Sequence, residues 1–301
     1  MIREGTLDDI QSAAAMRQRA WPDMIITGEG MQHAIECVPE RAELLKLAWA
    51  ENGEIVGWAT SGRAWWQTDP HHGTLMVAVD PGRRGEGIGS ALAERGDAHL
   101  TELGITTTRC SSIDEPGARA LAGKLGFREI GGASTSAVDP RVVVPAPIPN
   151  GVRVVRFAEL EDPRAVYELD DEVSRDIPNQ EYGGVPFEEW REEYWQSPFV
   201  HQEASLAAFV DDELAAVTMI RVDVPSGRAH NNLTGTRARF RGMGLARLLK
   251  SHSLHVAAGL GATIAITDND ETNAPMLAVN RSLGYRPFSR RIEWERATSA
   301  R

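Results

Sequence analysis

The sequence predicts a mixed α/β fold built twice in tandem, on three observations. A glycine-arginine element, Arg84-Gly85-Glu86-Gly87-Ile88-Gly89, returns as Arg241-Gly242-Met243-Gly244-Leu245-Ala246. Other landmarks recur in the same order: Ile2 to Asp9 is echoed by Val155 to Asp162, and Lys124-Leu125-Gly126-Phe127 by Ser282-Leu283-Gly284-Tyr285. Gly87 and Gly244 lie 157 positions apart, Gly126 and Gly284 158. A period this long means paired domains, since solenoid repeats are far shorter. Finally, each half reads as strand, helices, strands, loop, helix, strand, helix, strand, an order that gives a mixed sheet.

The elements follow from local pattern. Each half opens on a short strand entering an acid-capped helix, at Ile2 to Asp9 and at Val155 to Asp162. In the first half, Leu47–Glu51, Ile55–Ser61 and Leu75–Val79 form a meander with a turn at Asn52-Gly53. The second half repeats it with Ala204–Val210, a turn at Asp211-Asp212, Leu214–Val222 and Leu233–Thr236. After the second glycine element, Leu245, Leu248, Leu249, His252 and Val256 recur at helical spacing. Thr106–Ser111 and Ala262–Thr267 are the next strands. Between the halves, Pro145, Pro147 and Pro149 lead into Asn150-Gly151. Alternating prolines continue neither helix nor central strand, so 140–151 reads as a stiff, extended linker. The expected domains are 1–147 and 148–301, with a last strand at Val142–Val144 closing the first.

Composition bounds the function. The 301 residues fit two domains, and 42% apolar and 25% charged residues suit globular cores. The net charge of −11 divides as −6 over 1–150 and −5 over 151–301, so neither half offers the clustered positive surface of a nucleic-acid module. Two cysteines, Cys37 and Cys110, make no disulfide framework. Glu4, Asp8 and Asp9 replace the basic, apolar start of a signal peptide, and no run reaches the ~18 apolar residues that span a bilayer. A cytoplasmic protein is the expectation.

Each glycine element follows a strand-like run and opens an amphipathic helix. A loop of small residues there presents bare N–H groups, and the helix dipole adds partial positive charge, which together seat a diphosphate. A tight connection without ligand is the alternative. The spacing is not the G-x-G-x-x-G of a dinucleotide fold, and no Gly-Lys-Ser/Thr closes a P-loop.

The pattern R-x-x-G-x-G/A resembles the acyl-CoA signature of the GCN5-related N-acetyltransferases, and the resemblance covers the whole chain twice. The segment Thr267-Asp268-Asn269-Asp270-Glu271-Thr272-Asn273, with Met276, Asn280 and Leu283-Gly284-Tyr285, is similar to tandem actinobacterial acetyltransferases related to mycothiol synthase. The resemblance implies acetyl-CoA, or another acyl-CoA, as cofactor, with pantetheine along the fourth strand at Val77 and Val79, and at Thr234 and Thr236. The diphosphate would meet the backbone of Arg84, Gly85, Glu86, Gly87, Ile88, Gly89 and Ser90, and of Arg241, Gly242, Met243, Gly244, Leu245, Ala246 and Arg247. Asn273 holds the family's place for an asparagine early on the last helix. Asn280 stands where the family carries a tyrosine acid, and an amide has no useful proton to give. The first half offers Glu115 and Ala122 at these two places, which favours the second half for catalysis.

The acceptor amine must lose a proton before attack, so a base near the fourth strand is needed. His230 is the candidate, with Glu271 behind it; His71 and His72 hold the matching place in the first half. The acids and aromatics between Glu159 and Trp195 fit either an amine-binding cleft or an amphipathic helix with its aromatics in the core. His252 and His255 lack further ligands for a metal, and none is expected. The partner is a small-molecule amine, with no nucleic acid or membrane, and tandem domains that mimic a dimer make a monomer the expectation. The competing expectation is a CoA-binding sensor without turnover.

Overall fold

The hairpin turns foreseen in the sequence set the first strands in place. Asn52 and Gly53 take φ of 52° and 84°, and Asp211 and Asp212 take 49° and 61°. Two consecutive left-handed residues match the twist of the strands they join. In this computed structural model, which describes residues 1–178 and 182–297, the chain forms two compact units. One holds Met1–Ala133 and the chain from Arg290; the other is Ser134–Ser289.

The first unit contains β1 (Ile2–Glu4), α1 (Ile10–Ala20), α2 (Gly28–Glu36), β2 (Leu45–Glu51), β3 (Glu54–Arg63) and β4 (His72–Val79). It continues with α3 (Ile88–Glu102), β5 (Thr107–Ile113), α4 (Pro116–Lys124) and the start of β6 (Arg128–Val138). The second contains the end of β6, β7 (Val152–Arg156), α5 (Arg164–Ser174), α6 (Phe187–Trp190), β8 (Leu206–Val210) and β9 (Glu213–Asp223). It goes on through β10 (Arg228–Thr236), α7 (Leu245–Gly259), β11 (Ile264–Asp270), α8 (Ala274–Ser282) and the first residues of β12 (Arg286–Ala297). The strand order is β1-β2-β3-β4-β5-β12 in the first unit and β6-β11-β10-β9-β8-β7 in the second. Each sheet is antiparallel through its meander and turns parallel at one place, β4 beside β5 and β10 beside β11.

The units divide the chain differently from the expected 1–147 and 148–301. Residues 134–147 pack with the second unit, and the last strand pairs with β5, Arg291 opposite Ile113 and Ala297 opposite Thr107. Ile292 and Trp294 are buried in the first core beside Leu100 and Phe127. Arg296 grips Asp97 at 2.6 and 2.9 Å and the Leu125 carbonyl at 2.9 Å. The expected strand at Val142–Val144 is not formed: Pro140, with no N–H for a ladder, opens a 3₁₀ turn over Pro140–Val142. The linker is instead pinned to α7, where the Ala146 N–H donates to Ser251 Oγ at 2.9 Å and its carbonyl accepts from His252 Nε2 at 2.8 Å. That bond gives His252 a structural task.

The aromatics after Glu159, which fitted either a cleft or a core-facing helix, pack against one another within the second unit. Trp190 is 2% exposed, and its Nε1–H donates to Asp170 at 2.6 Å. Around it Tyr167 and Phe187 sit 5.5 and 6.3 Å away, ring centre to ring centre, and Trp195 stacks on Phe157 at 4.9 Å.

At the start of the first unit, Asp9 accepts from Arg3 Nη1 and Nη2 at 2.6 Å each and from the Thr6 N–H at 2.8 Å. The Arg3 guanidinium holds this carboxyl well below the usual carboxylate range. Its contribution is therefore present above about pH 4 and declines as pH falls further. Asp9→Asn should cost about 1–2 kcal/mol at pH 7. Urea melts at pH 7 and pH 3 check it, with the gap to the parent chain narrowing at the lower pH.

Candidate active site

Both units build the same device. β4 pairs with β5 only from His72 to Thr74, so Leu75–Val79 leaves its partner while remaining bound to β3. β10 pairs with β11 only from Arg228 to His230, and the rest of β10 diverges. Each split exposes a row of backbone groups that can bind an extended ligand as an added strand. At the open end lie the glycine elements. Gly85, Gly87, Gly242 and Gly244 take φ of 85°, 86°, 83° and 77°, and Gly87 and Gly244 cap α3 and α7. A Cβ on any of these four would meet nothing within 4 Å, so the space before the helix N-termini is open. These residues fit a diphosphate.

The two halves differ in the chemistry beside the split. The first has a groove of about 760 Å³ with Val77, Val79, Arg84, Gly85, Gly87, Ile88, Gly89 and Ser90 on its wall, all foreseen from the sequence. Glu86 is not on that wall; it pairs with Arg83 at 2.8 Å. The floor is apolar: Leu75, Cys110, Ala122, Phe127 and Trp294. Burial pushes the Cys110 thiol up to about 12, which removes it as a nucleophile. Arg84 pairs with Glu115 at 2.7 Å across the mouth, and Lys124 donates to Ser90 Oγ at 3.0 Å.

In the second half a small polar cavity of about 30 Å³ lies at the split, bounded by Asn231, Asn232, Thr234, Lys250, Thr267, Asp268, Asn269 and Met276, and the glycine element does not line it. Thr236 gives its carbonyl to Arg241 Nε at 3.2 Å, and Arg241 also pairs with Asp176. The Leu245 side chain is buried in the core, while Met243 and Arg247 are exposed. Asn273 caps α8, its Oδ1 accepting from the Met276 N–H at 3.2 Å.

Of the expected catalytic residues, His230 lies inside β10, at the last pair before the split, and not ahead of the strand. Its Nε2–H donates to Asp268 Oδ2 at 2.7 Å, and Thr135 Oγ donates to the other oxygen of Asp268. The carboxylate fixes the imidazole orientation and leaves Nδ1 as the acceptor nitrogen. Just beyond, the register of β10 against β9 shifts between Asn231 and Leu233, a bulge that the β3–β4 pairing lacks. Glu271 is exposed after β11. Asn280 is 2% exposed and donates to Asn269 Oδ1 at 2.6 Å. In the first half, His71 Nδ1 meets the Gly104 carbonyl at 3.2 Å and His72 Nδ1 meets Gln67 Oε1 at 2.5 Å.

Sequence reasoning missed Trp21, Lys124 and Trp294 in the first groove and Asp268 and Lys250 at the cavity of the second half. Lys250 had a signal: it follows Leu248 and Leu249 on the face of α7 turned to the sheet, where a cation is out of place. It is 1% exposed, and its position in the first half, 157 residues earlier, is Ala93.

The profile of the acetyltransferase (GNAT) family matches residues 13–127 and again 165–285. The chain belongs to the GNAT family. It is an N-acetyltransferase with two GNAT domains in tandem, and the fold of this family uses acyl-CoA. It is 27% identical to the mycothiol acetyltransferase of Clavibacter michiganensis subsp. michiganensis over 98% of this chain and 94% of that one. The mycothiol acetyltransferase of Acidothermus cellulolyticus is 25% identical over 84% of this chain and 80% of its own. Among solved structures, a tandem GNAT protein of the clavulanic acid pathway superposes with a TM-score of 0.74 at 20% identity, covering 99% and 98% of the two chains. A GCN5-related N-acetyltransferase from Sphaerobacter thermophilus gives 0.71 at 19% identity, with 99% and 95% covered. Both share the fold. Among the described residues, no helix is long and apolar enough to cross a membrane.

Proposed function

We propose that this GNAT protein transfers acetyl from acetyl-CoA to the primary amine of a small molecule, by direct attack, as a monomer, with the chemistry in its second half. The arrangement of His230 on Asp268, beside the bulge where β10 leaves β11, carries this reading. Nδ1 of His230 takes the ammonium proton, and the amine then attacks the thioester carbonyl. A β10 amide freed by the bulge stabilises the oxyanion, an effect of about 3–4 kcal/mol per donor elsewhere. Asn280 donates to Asn269, so the departing thiolate receives its proton from solvent or from the nitrogen that has attacked, which must lose a second proton to become an amide, and the imidazolium returns its proton to solvent. Gly242 and Gly244 seat the donor's diphosphate, and the first groove is a second seat for an acyl-CoA. Likeness to mycothiol acetyltransferases supports an amine on a thiol-bearing amino-sugar scaffold as acceptor class.

His230→Gln should lower free-thiol release, with glucosamine and spermidine as probe amines, by about 100-fold while CoA affinity holds. Unchanged turnover would remove His230 from the reaction.

A second reading has a specific observation behind it. Neither half offers an acid at the family's tyrosine place, since Ala122 stands there in the first and Asn280, tied to Asn269, in the second, so the chain would be a CoA-binding sensor without turnover. Titration separates the two: CoA binding without thiol release supports the sensor, and binding with release supports the enzyme.

A further inference from the structure

The first half carries two guanidinium groups beside its groove that the glycine element does not use. Arg17, in the last turn of α1, stacks on Trp21 with 4.8 Å to the ring centre. Arg291, opposite Ile113 on β5, approaches the same ring at 5.9 Å. Trp21 and Ile113 both line the groove, and the two cations flank these residues at its edge. Asp23, 2% exposed, pairs with Arg291 at 3.4 Å. The Arg17 carbonyl accepts from the Trp21 N–H at 2.8 Å, but its guanidinium makes no hydrogen bond or ion pair among the described residues. Burial and repulsion from Arg291 push its guanidinium down to about 10.

A half-buried arginine is normally matched by a carboxylate, because a desolvated charge is costly alone. Here Asp23 pairs with Arg291, and no carboxylate pairs with Arg17 among the described residues. The Trp21 face holds the guanidinium, whose fork suits bidentate binding of a flat anion. We propose that Arg17, with Arg291 and Trp21, forms a carboxylate-binding subsite of the first groove, so that this half recognises an acyl-CoA together with a carboxylate. The carboxylate belongs to the acyl group, as in a dicarboxylic acyl-CoA, or to a separate amino acid bound beside the cofactor. The inference rests on the first groove being an acyl-CoA seat.

Calorimetry on the full chain tests it, with CoA, acetyl-CoA and succinyl-CoA as one arm. The other arm offers 4-aminobutyrate and butylamine to the CoA-loaded protein. Support is at least a tenfold preference for the carboxylated member in one arm, and that arm names the source. In Arg17→Met the preference should fall below about twofold with CoA affinity unchanged, and Arg17→Lys should restore most of it. No preference in either arm overturns the proposal. So does an equal loss for CoA and its esters in Arg17→Met, which would assign Arg17 to a cofactor phosphate or to the fold. If CoA itself fails to bind the parent chain, the acyl-CoA seat falls and the subsite with it.

Discussion

Gly87→Asp will abolish acyl-CoA binding in the first half. Gly87 sits at φ 86°, where a side chain is strained, and it caps α3 at a place where a Cβ would meet open space. A carboxylate there occupies the place of the diphosphate and repels it. Removing the dipole-assisted contacts and adding that repulsion should weaken binding by at least 100-fold, about 2.7 kcal/mol. Gly244→Asp is the matched variant, at φ 77°. Calorimetry with CoA reads the stoichiometry, and thiol release reads the chemistry. On the proposed assignment, Gly87→Asp loses one CoA and keeps turnover, while Gly244→Asp loses turnover. If Gly87→Asp stops thiol release and Gly244→Asp does not, the reaction belongs to the first half. If neither variant changes CoA affinity, the glycine elements are tight turns and no more.

Lys250→Met will stabilise the protein at pH 7. The ammonium would sit on α7 against the sheet, 3.5 Å from Thr267 Oγ and 5.2 Å from the centre of the Tyr285 ring. Burial pushes this amine down to about 7 from the usual 10.5. The unfolded chain therefore binds the extra proton between pH 7 and 10.5 and the folded chain does not. Stability rises with pH across that window and is flat below it. The depression corresponds to a cost of about 4 kcal/mol at pH 7. Methionine matches the length of the stem, fills the same space and carries no such cost. Urea melts at pH 7 and pH 10, followed by tryptophan fluorescence, should show a more stable variant whose gap to the parent closes at pH 10. A variant that is equally destabilised at both pH values would mean that the ammonium is well solvated in the fold.

The glycine elements, the hairpin turns and the helix spacing were legible because each is a local property. Gly85, Gly87, Gly242 and Gly244 need left-handed backbone wherever they lie, and the pairs Asn52-Gly53 and Asp211-Asp212 fix their hairpins within a few residues. The two loops could thus be located residue by residue in both halves. His230 was singled out by its neighbourhood to the fourth strand, but its hydrogen-bond partner was not. Asp268 is 38 positions away and Thr135 lies in the first sequence period. The aromatics after Glu159 were ambiguous because amphipathic spacing places a residue on a face without saying what that face meets.

Residue order alone determined that this chain is a duplicated mixed α/β protein with two small-residue loops before two helices, since those features are set by backbone conformation and periodicity. Only the tertiary structure decided that β12 pairs with β5 in the first sheet, that the first groove is wide and apolar, and that Arg17 and Arg291 approach one tryptophan ring. Pairing between strands and charges far apart in the chain depends on which surfaces bury together, and periodicity carries no record of that.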